Sequence, residues 1–130
     1  MVWPFVPELL NPASLDLRLG HRLMIEVSDR RELIEIDISD RTEEDPYYLA
    51  PSEFVLAETV ETFNLPDDIS AQFVLKSSRA REGLNHLLAG WCDPGWHGSK
   101  LTLELKNERR HHGLHLYPNL KIGQMVFHRM

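Results

Sequence analysis

The chain has 130 residues, 42% of them apolar, which is enough for one domain with a single core and excludes a disordered polypeptide. With 14 basic and 20 acidic residues the net charge is −6, which excludes the broad phosphate neutralisation that general nucleic-acid binding needs but leaves room for one local anion pocket. The single cysteine excludes an internal disulfide and any site built from two or more cysteines, zinc ribbons and CxxC pairs included.

The opening run Met1-Val-Trp-Pro-Phe-Val-Pro7 has neither the basic flank nor the long apolar stretch of a signal peptide. No apolar run approaches the ~18 residues of a membrane span, so a soluble, cytoplasmic protein without a membrane partner is expected. Prolines and glycines then divide the chain into short segments of period two. Leu15, Leu17 and Leu19 alternate with Asp16 and Arg18, and Leu33–Ile38 reads the same way. A charged loop follows over Ser39–Pro46. Phe54–Val60 and Ala71–Leu75 are rich in strand formers, Leu101, Leu103 and Leu105 alternate with Thr102 and Glu104, and Leu114–Tyr117 and Gly123–Phe127 complete the set. Short alternating strands with regular turn signals predict an all-β sandwich, jelly roll or barrel in one domain over 1–130. One short helix is expected over Ser77–Glu82, capped by serine and stopped by Gly83.

Three polar clusters can carry chemistry. Lys76-Ser77-Ser78-Arg79-Ala80-Arg81 opens the short helix with two hydroxyls and three cations, which suits a phosphate; the plain alternative is a capped, solvated surface helix. Ala89-Gly90-Trp91-Cys92-Asp93-Pro94-Gly95-Trp96-His97-Gly98 contains a tight turn. It reads either as a hairpin or as a flat pocket for a base or sugar, with Asp93 accepting from a hydroxyl. Glu104 points away from the three leucines of its strand. It is an ordinary exposed glutamate if that face is solvent, and a proton-transfer carboxylate with a raised pKa if the face lines a pocket. His111, His112 and His115 with Cys92 do not have metal-site spacing, and Glu108–Gly113 reads as a polar hairpin tip, so no metal ligands are assigned. Neither the zinc nucleobase-deaminase signature nor a G-x-S-x-G elbow is present.

In this order the clusters resemble the dCTP deaminase branch of the dUTPase-like family. The resemblance runs over residues 11–128. It rests on Asn11-Pro-Ala-Ser-Leu-Asp-Leu-Arg-Leu-Gly20, Leu65-Pro-Asp-Asp68, Lys76-Ser-Ser-Arg-Ala-Arg-Glu-Gly-Leu84, Ala89–Gly98, Leu101–Leu105 and Leu116-Tyr-Pro-Asn-Leu-Lys-Ile-Gly-Gln124. It implies a β-clip, a distorted jelly roll, assembled as a homotrimer with sites between subunits. It implies zinc-independent hydrolysis of the amino group of a deoxycytidine nucleotide, dCTP to dUTP, with Mg²⁺ carried on the substrate phosphates. Glu104 matches the proton relay, and Ser77 and Arg81 match the pair that holds the water and orients the base. Lys76 and Ser78 match phosphate contacts from a neighbouring subunit, and Asp93 the aspartate near the sugar. Ala89, Trp91 and Gln124 complete the expected substrate contacts.

Trp91, where single-function relatives tend to carry arginine, is similar to the bifunctional members that continue to dUMP. A plain dUTPase, or a catalytically silent nucleotide-binding trimer of the same fold, are the competing expectations. Arg79 stands where the family pattern has leucine or tyrosine, and Asn119 where it has glycine. The resemblance also implies a C-terminal segment that folds over the phosphates. The expectation is a short form without that lid and with weak triphosphate binding.

Overall fold

A computed structural model of the chain describes residues 1–87 and 90–130. The strands are β1 Val2–Trp3, β2 Leu15–Ile25, β3 Ile34–Asp37, β4 Tyr47–Leu49, β5 Phe54–Asn64 and β6 Ile69–Leu75. After helix α1, Ser77–Arg81, come β7 Leu84–His86, β8 Trp91–Cys92, β9 His97–Asn107, β10 Leu114–Leu116 and β11 Lys121–Arg129. Among the described residues nine strands form one sheet in the order β7-β9-β5-β2-β11-β6-β8, with β1 on β5 and β3 on β2; β10 and β4 form a separate pair. The all-β expectation with one short helix holds, and a 3-10 turn at Pro7–Leu9 adds to it. No helix among the described residues is long and apolar enough to cross a membrane.

The sheet curls because β2 changes partners along its length. Its first half, Leu15–Arg18, pairs with β11, and its second half pairs with β5 and β3. The ladder to β5 slips between Leu19 and Leu23, at Gly20, where a Cβ would lie 2.9 Å from the Glu58 carbonyl oxygen. A slip of this kind bends a strand and increases its twist. The curled sheet encloses one core. Leu17, Leu19, Leu23, Phe63, Leu103, Leu105, Ile122 and Met125 are all fully buried. The alternation of β9 explains three of its members: Leu101, Leu103 and Leu105 point inward while Thr102 and Glu104 point outward. Truncating one such leucine costs ~2–5 kcal/mol through lost burial and the cavity left behind.

Two local expectations are corrected. The N-cap of α1 is Lys76, with extended backbone and no side-chain cap bond, and Ser77 is already helical. Lys76 O accepts the first helical bonds, from Arg79 N at 2.9 Å and Ala80 N at 3.1 Å, which puts Lys76 in the cap position expected of a serine. Gly83, with φ +102, does end it. Second, neither Asp93–Gly95 nor Glu108–Gly113 joins a hairpin. β8 pairs with β6 and β9 with β5, while β10 pairs with β4, so both turns carry the chain between different ladders. Each crossover buries an apolar strand face that a local hairpin would leave on the surface.

Candidate active site

The outward face of β9 lines a cavity, so Glu104 is not simply a surface residue. With Trp91, Cys92, Asp93, Trp96 and Lys100, it borders a cavity of about 450 Å³. Its side chain is 25% exposed. Burial is the chief cause that pushes its carboxyl above the ordinary glutamate value. That is the direction a proton-transfer carboxylate needs, because it brings the pKa closer to neutral.

Asp93 opens the turn that delivers the chain into β9. Trp96 N donates to Asp93 O at 3.2 Å, and Gly95 holds φ +82, a left-handed conformation that glycine takes without a Cβ penalty. The Asp93 side chain is exposed and accepts from Trp91 Nε1 at 3.1 Å, which ties the indole to the rim of the cavity. Trp91 is 56% exposed and stacks on His128 with ring centroids 6.0 Å apart. Trp96 instead packs against the core, stacked on Phe63 at 5.7 Å. Gly90 admits the chain at this point: a Cβ there would stand 2.7 Å from the Phe73 carbonyl oxygen, while its own carbonyl accepts from Phe73 N at 2.8 Å. Ala89 lies outside the described residues.

Lys76, Ser77, Ser78 and Arg81 line a different cavity of about 400 Å³, together with Asn11 and Gln124. It shares no residue with the Glu104 cavity. Within one chain, the structure thus brings the expected phosphate, water and Gln124 contacts together. It gathers Glu104, Asp93 and Trp91 elsewhere.

The cationic half is held from beneath by the strand motif at Asn11–Gly20, to which the sequence alone assigns no roles. Asp16 is buried on β2, and its Oδ1 accepts from Lys76 Nζ at 2.8 Å and from Asn11 Nδ2 at 2.7 Å. Ser14 Oγ donates to Gln124 Oε1 at 2.7 Å. Arg79 turns away from this cavity and pairs with Glu82 at 2.9 Å. Three residues of the Glu104 side also escape the sequence reading. Lys100 borders the cavity, 3.8 Å from Glu58 Oε1, and Ser99 sits beside it. His86, at the end of β7, is buried with Nε2 3.3 Å from Glu104 Oε1. Their only sequence signal is adjacency: Ser99 and Lys100 precede Leu101, and His86 ends the short strand after Gly83. His111, His112 and His115 are exposed while Cys92 is buried on β8, and no group of three or more metal-ligating side chains gathers among the described residues.

The departure at Asn119 has a backbone reason. Its φ is +70, a left-handed turn position for which glycine is the easiest residue and asparagine among the next easiest.

The whole chain, residues 1–130, matches the family model described as dCTP deaminase-like. A protein of Methanoculleus marisnigri named dCTP deaminase, dUMP-forming, is 41% identical over 133 residues, covering 97% of this chain and 70% of its own. The crystal structure of 2′-deoxycytidine 5′-triphosphate deaminase from Agrobacterium tumefaciens superposes with a TM-score of 0.78 at 23% identity, over 97% of this chain. This chain spans 42% of that one. The native EIAV dUTPase gives a TM-score of 0.60 at 19% identity, over 92% of this chain and 77% of its own. Both structures share the curled β-clip expected from the sequence. The chain belongs to the dCTP deaminase-like family.

Proposed function

We propose that the protein hydrolytically deaminates dCTP and that the reaction needs no zinc. The observation that carries this reading is the Glu104 carboxyl: half-buried, raised by burial, and set on the same cavity wall as Asp93 and Trp91. In this reading water attacks C4 of cytosine. Glu104 takes one water proton and passes it to N3 as the C4–O bond forms. It then takes the proton of the new hydroxyl and passes it to N4. The C4–N4 bond breaks, C4=O forms and ammonia leaves, so a single carboxylate serves both transfers. Ser77 and Arg81 hold the water and orient the base, stabilising the charge that develops on the ring. Asp93 accepts from a sugar hydroxyl beside Trp91. Lys76 and Ser78 take the phosphates, Gln124 closes that side, and Mg²⁺ enters as part of the substrate on the triphosphate.

We also propose that the two half-sites meet between subunits of a homotrimer. Support comes from their separation into cavities that share no residue and from large apolar side chains left in solvent, Trp3 at 73%, Phe5 at 51% and Trp91 at 56% exposure. The relative named as dUMP-forming supports an onward step in which pyrophosphate leaves and dUMP is the final product. The test is incubation with dCTP while ammonia and pyrophosphate are read separately. Ammonia from wild type and none from Glu104→Gln supports the reading. Pyrophosphate from dUTP without ammonia from dCTP would replace it with a dUTPase.

A further inference from the structure

His86 and Glu104 come from neighbouring strands. β7 runs antiparallel to β9 with His86 opposite Leu105, one position along the strand from Glu104. His86 Nε2 lies 3.3 Å from Glu104 Oε1. Both atoms are buried, and neither has a hydrogen-bond partner among the described residues. Buried polar atoms without partners are rare and cost ~1–3 kcal/mol each, so two that face one another need an explanation. The Phe73 ring of β6 packs against the imidazole with centroids 4.7 Å apart and the planes tilted by 55°. His86 lines the cavity of Phe73, Gly90 and Trp91, and Glu104 lines that of Asp93. Trp91 borders both cavities.

We propose that His86 is a positioning residue for Glu104: its neutral imidazole donates Nε2–H to Oε1 and leaves Oε2 to exchange protons with water and nucleotide. This rests on the deamination reading. Catalytic hydrogen bonds are often long in a free enzyme and tighten when substrate arrives, and 3.3 Å is within reach of a small side-chain adjustment. The electrostatics agree. Burial pushes the imidazole below its ordinary value, so it stays neutral at neutral pH, while burial pushes Glu104 up. A donor on the carboxylate offsets that desolvation and keeps the base charged once nucleotide has displaced water. Glu104 is the charged group that faces His86 from β9, since Lys106 turns to Glu108 at 3.2 Å. β6 contributes Phe73, and α1 contributes Ala80 to the same cavity. The role parallels the outer partners that orient metal-bound or catalytic side chains elsewhere, whose loss costs ~10–100-fold.

The experiment compares His86→Phe and His86→Gln. Phenylalanine keeps the packing on Phe73 and removes the donor; glutamine places an amide N–H close to where Nε2 stood. His86→Phe is expected to lower kcat by ~10–100-fold with KM within about threefold. The acid limb of its pH profile should move to higher pH, since the ionised carboxylate has lost a donor. His86→Gln should recover most of kcat and return the limb toward wild type. An unchanged kcat and limb in His86→Phe would overturn the proposal. Imidazole ¹⁵N NMR is independent of turnover and of the Phe variant's folding. Wild type should show the Nε2–H tautomer, and Glu104→Gln should lower the pH at which His86 titrates. An Nδ1–H tautomer with identical titration in both would overturn the proposal even if the enzyme is active. Absence of ammonia from wild type, with the NMR coupling present, would instead fault the deamination reading.

Discussion

Lys76 at the mouth of the cationic cavity is tethered to Asp16 on β2, Nζ to Oδ1 at 2.8 Å across 60 residues of sequence. The Asp16 side chain is only 6% exposed and the lysine 28%, so a buried carboxylate holds a half-exposed cation in place. Asn11 extends the network, donating to Asp16 at 2.7 Å and to Ser14 at 3.2 Å, and Ser14 in turn holds Gln124. The early strand motif thus sets the positions of two expected nucleotide contacts, Lys76 and Gln124.

Asp16→Asn should loosen that tether. The amide keeps the volume but not the charge, and it cannot accept both hydrogen bonds as strongly. We expect KM for dCTP to rise about tenfold with a smaller change in kcat, because an anchored phosphate contact is lost and not a proton-transfer group. Steady-state kinetics checks this. A drop in Tm with unchanged KM would make Asp16 purely structural.

A second pair tests the fold. Glu61 is fully buried and accepts from Arg18 twice, from Nε at 2.8 Å and from the backbone N at 3.0 Å. Removing the arginine strands a charge in the core, so Arg18→Met should cost ~3–5 kcal/mol, while Arg18→Met with Glu61→Leu should recover much of it. Chemical denaturation at one fixed protein concentration reads both. Equal losses in the single and double variants would show that the guanidinium acts through packing alone.

Asn119 gives a smaller, signed effect. Asn119→Gly should be neutral or slightly stabilising at φ +70, and Asn119→Val should lose ~1–2 kcal/mol, since a branched Cβ collides with the backbone there. Tm measurements on the two variants check the order, and Val matching Gly would remove the backbone explanation.

These contrasts show what was legible in the sequence. The leucine alternation of β2 and β9 gave the strands, and that of β9 gave the facing of Glu104, because period two is a local property. The burial of Asp16 was not legible: its alternation predicts a solvated face, but Lys76, 60 residues away, and Asn11 bind its carboxylate. The two apparent hairpins failed for the same reason, since strand partners are chosen by which faces need covering. His86 carries no pattern of its own and becomes interesting only once β7 lies beside β9. The resemblance implied sites between subunits, but which residues share a cavity within one chain, Lys76, Ser77, Ser78, Arg81 and Gln124 apart from Glu104, depends on how the strands fold together.

That separation makes the proposed trimer testable by complementation. Ser77→Ala and Glu104→Gln subunits should each be inactive alone. Co-expressed in equal amounts, they should place an intact Ser77 half against an intact Glu104 half in about a quarter of the sites. Activity regained at about that fraction supports sites shared between subunits. No recovery from mixed, folded oligomers would place both halves in one chain.

The most direct measurement is ammonia release from Mg²⁺·dCTP by wild type and by Glu104→Gln, with nucleotide binding followed in parallel. The account predicts steady turnover by wild type. In the variant it predicts a fall of ~10²–10⁴-fold or more, with binding retained within a few-fold, because glutamine keeps the shape but cannot carry a proton. Ammonia release by Glu104→Gln within a few-fold of wild type would contradict it.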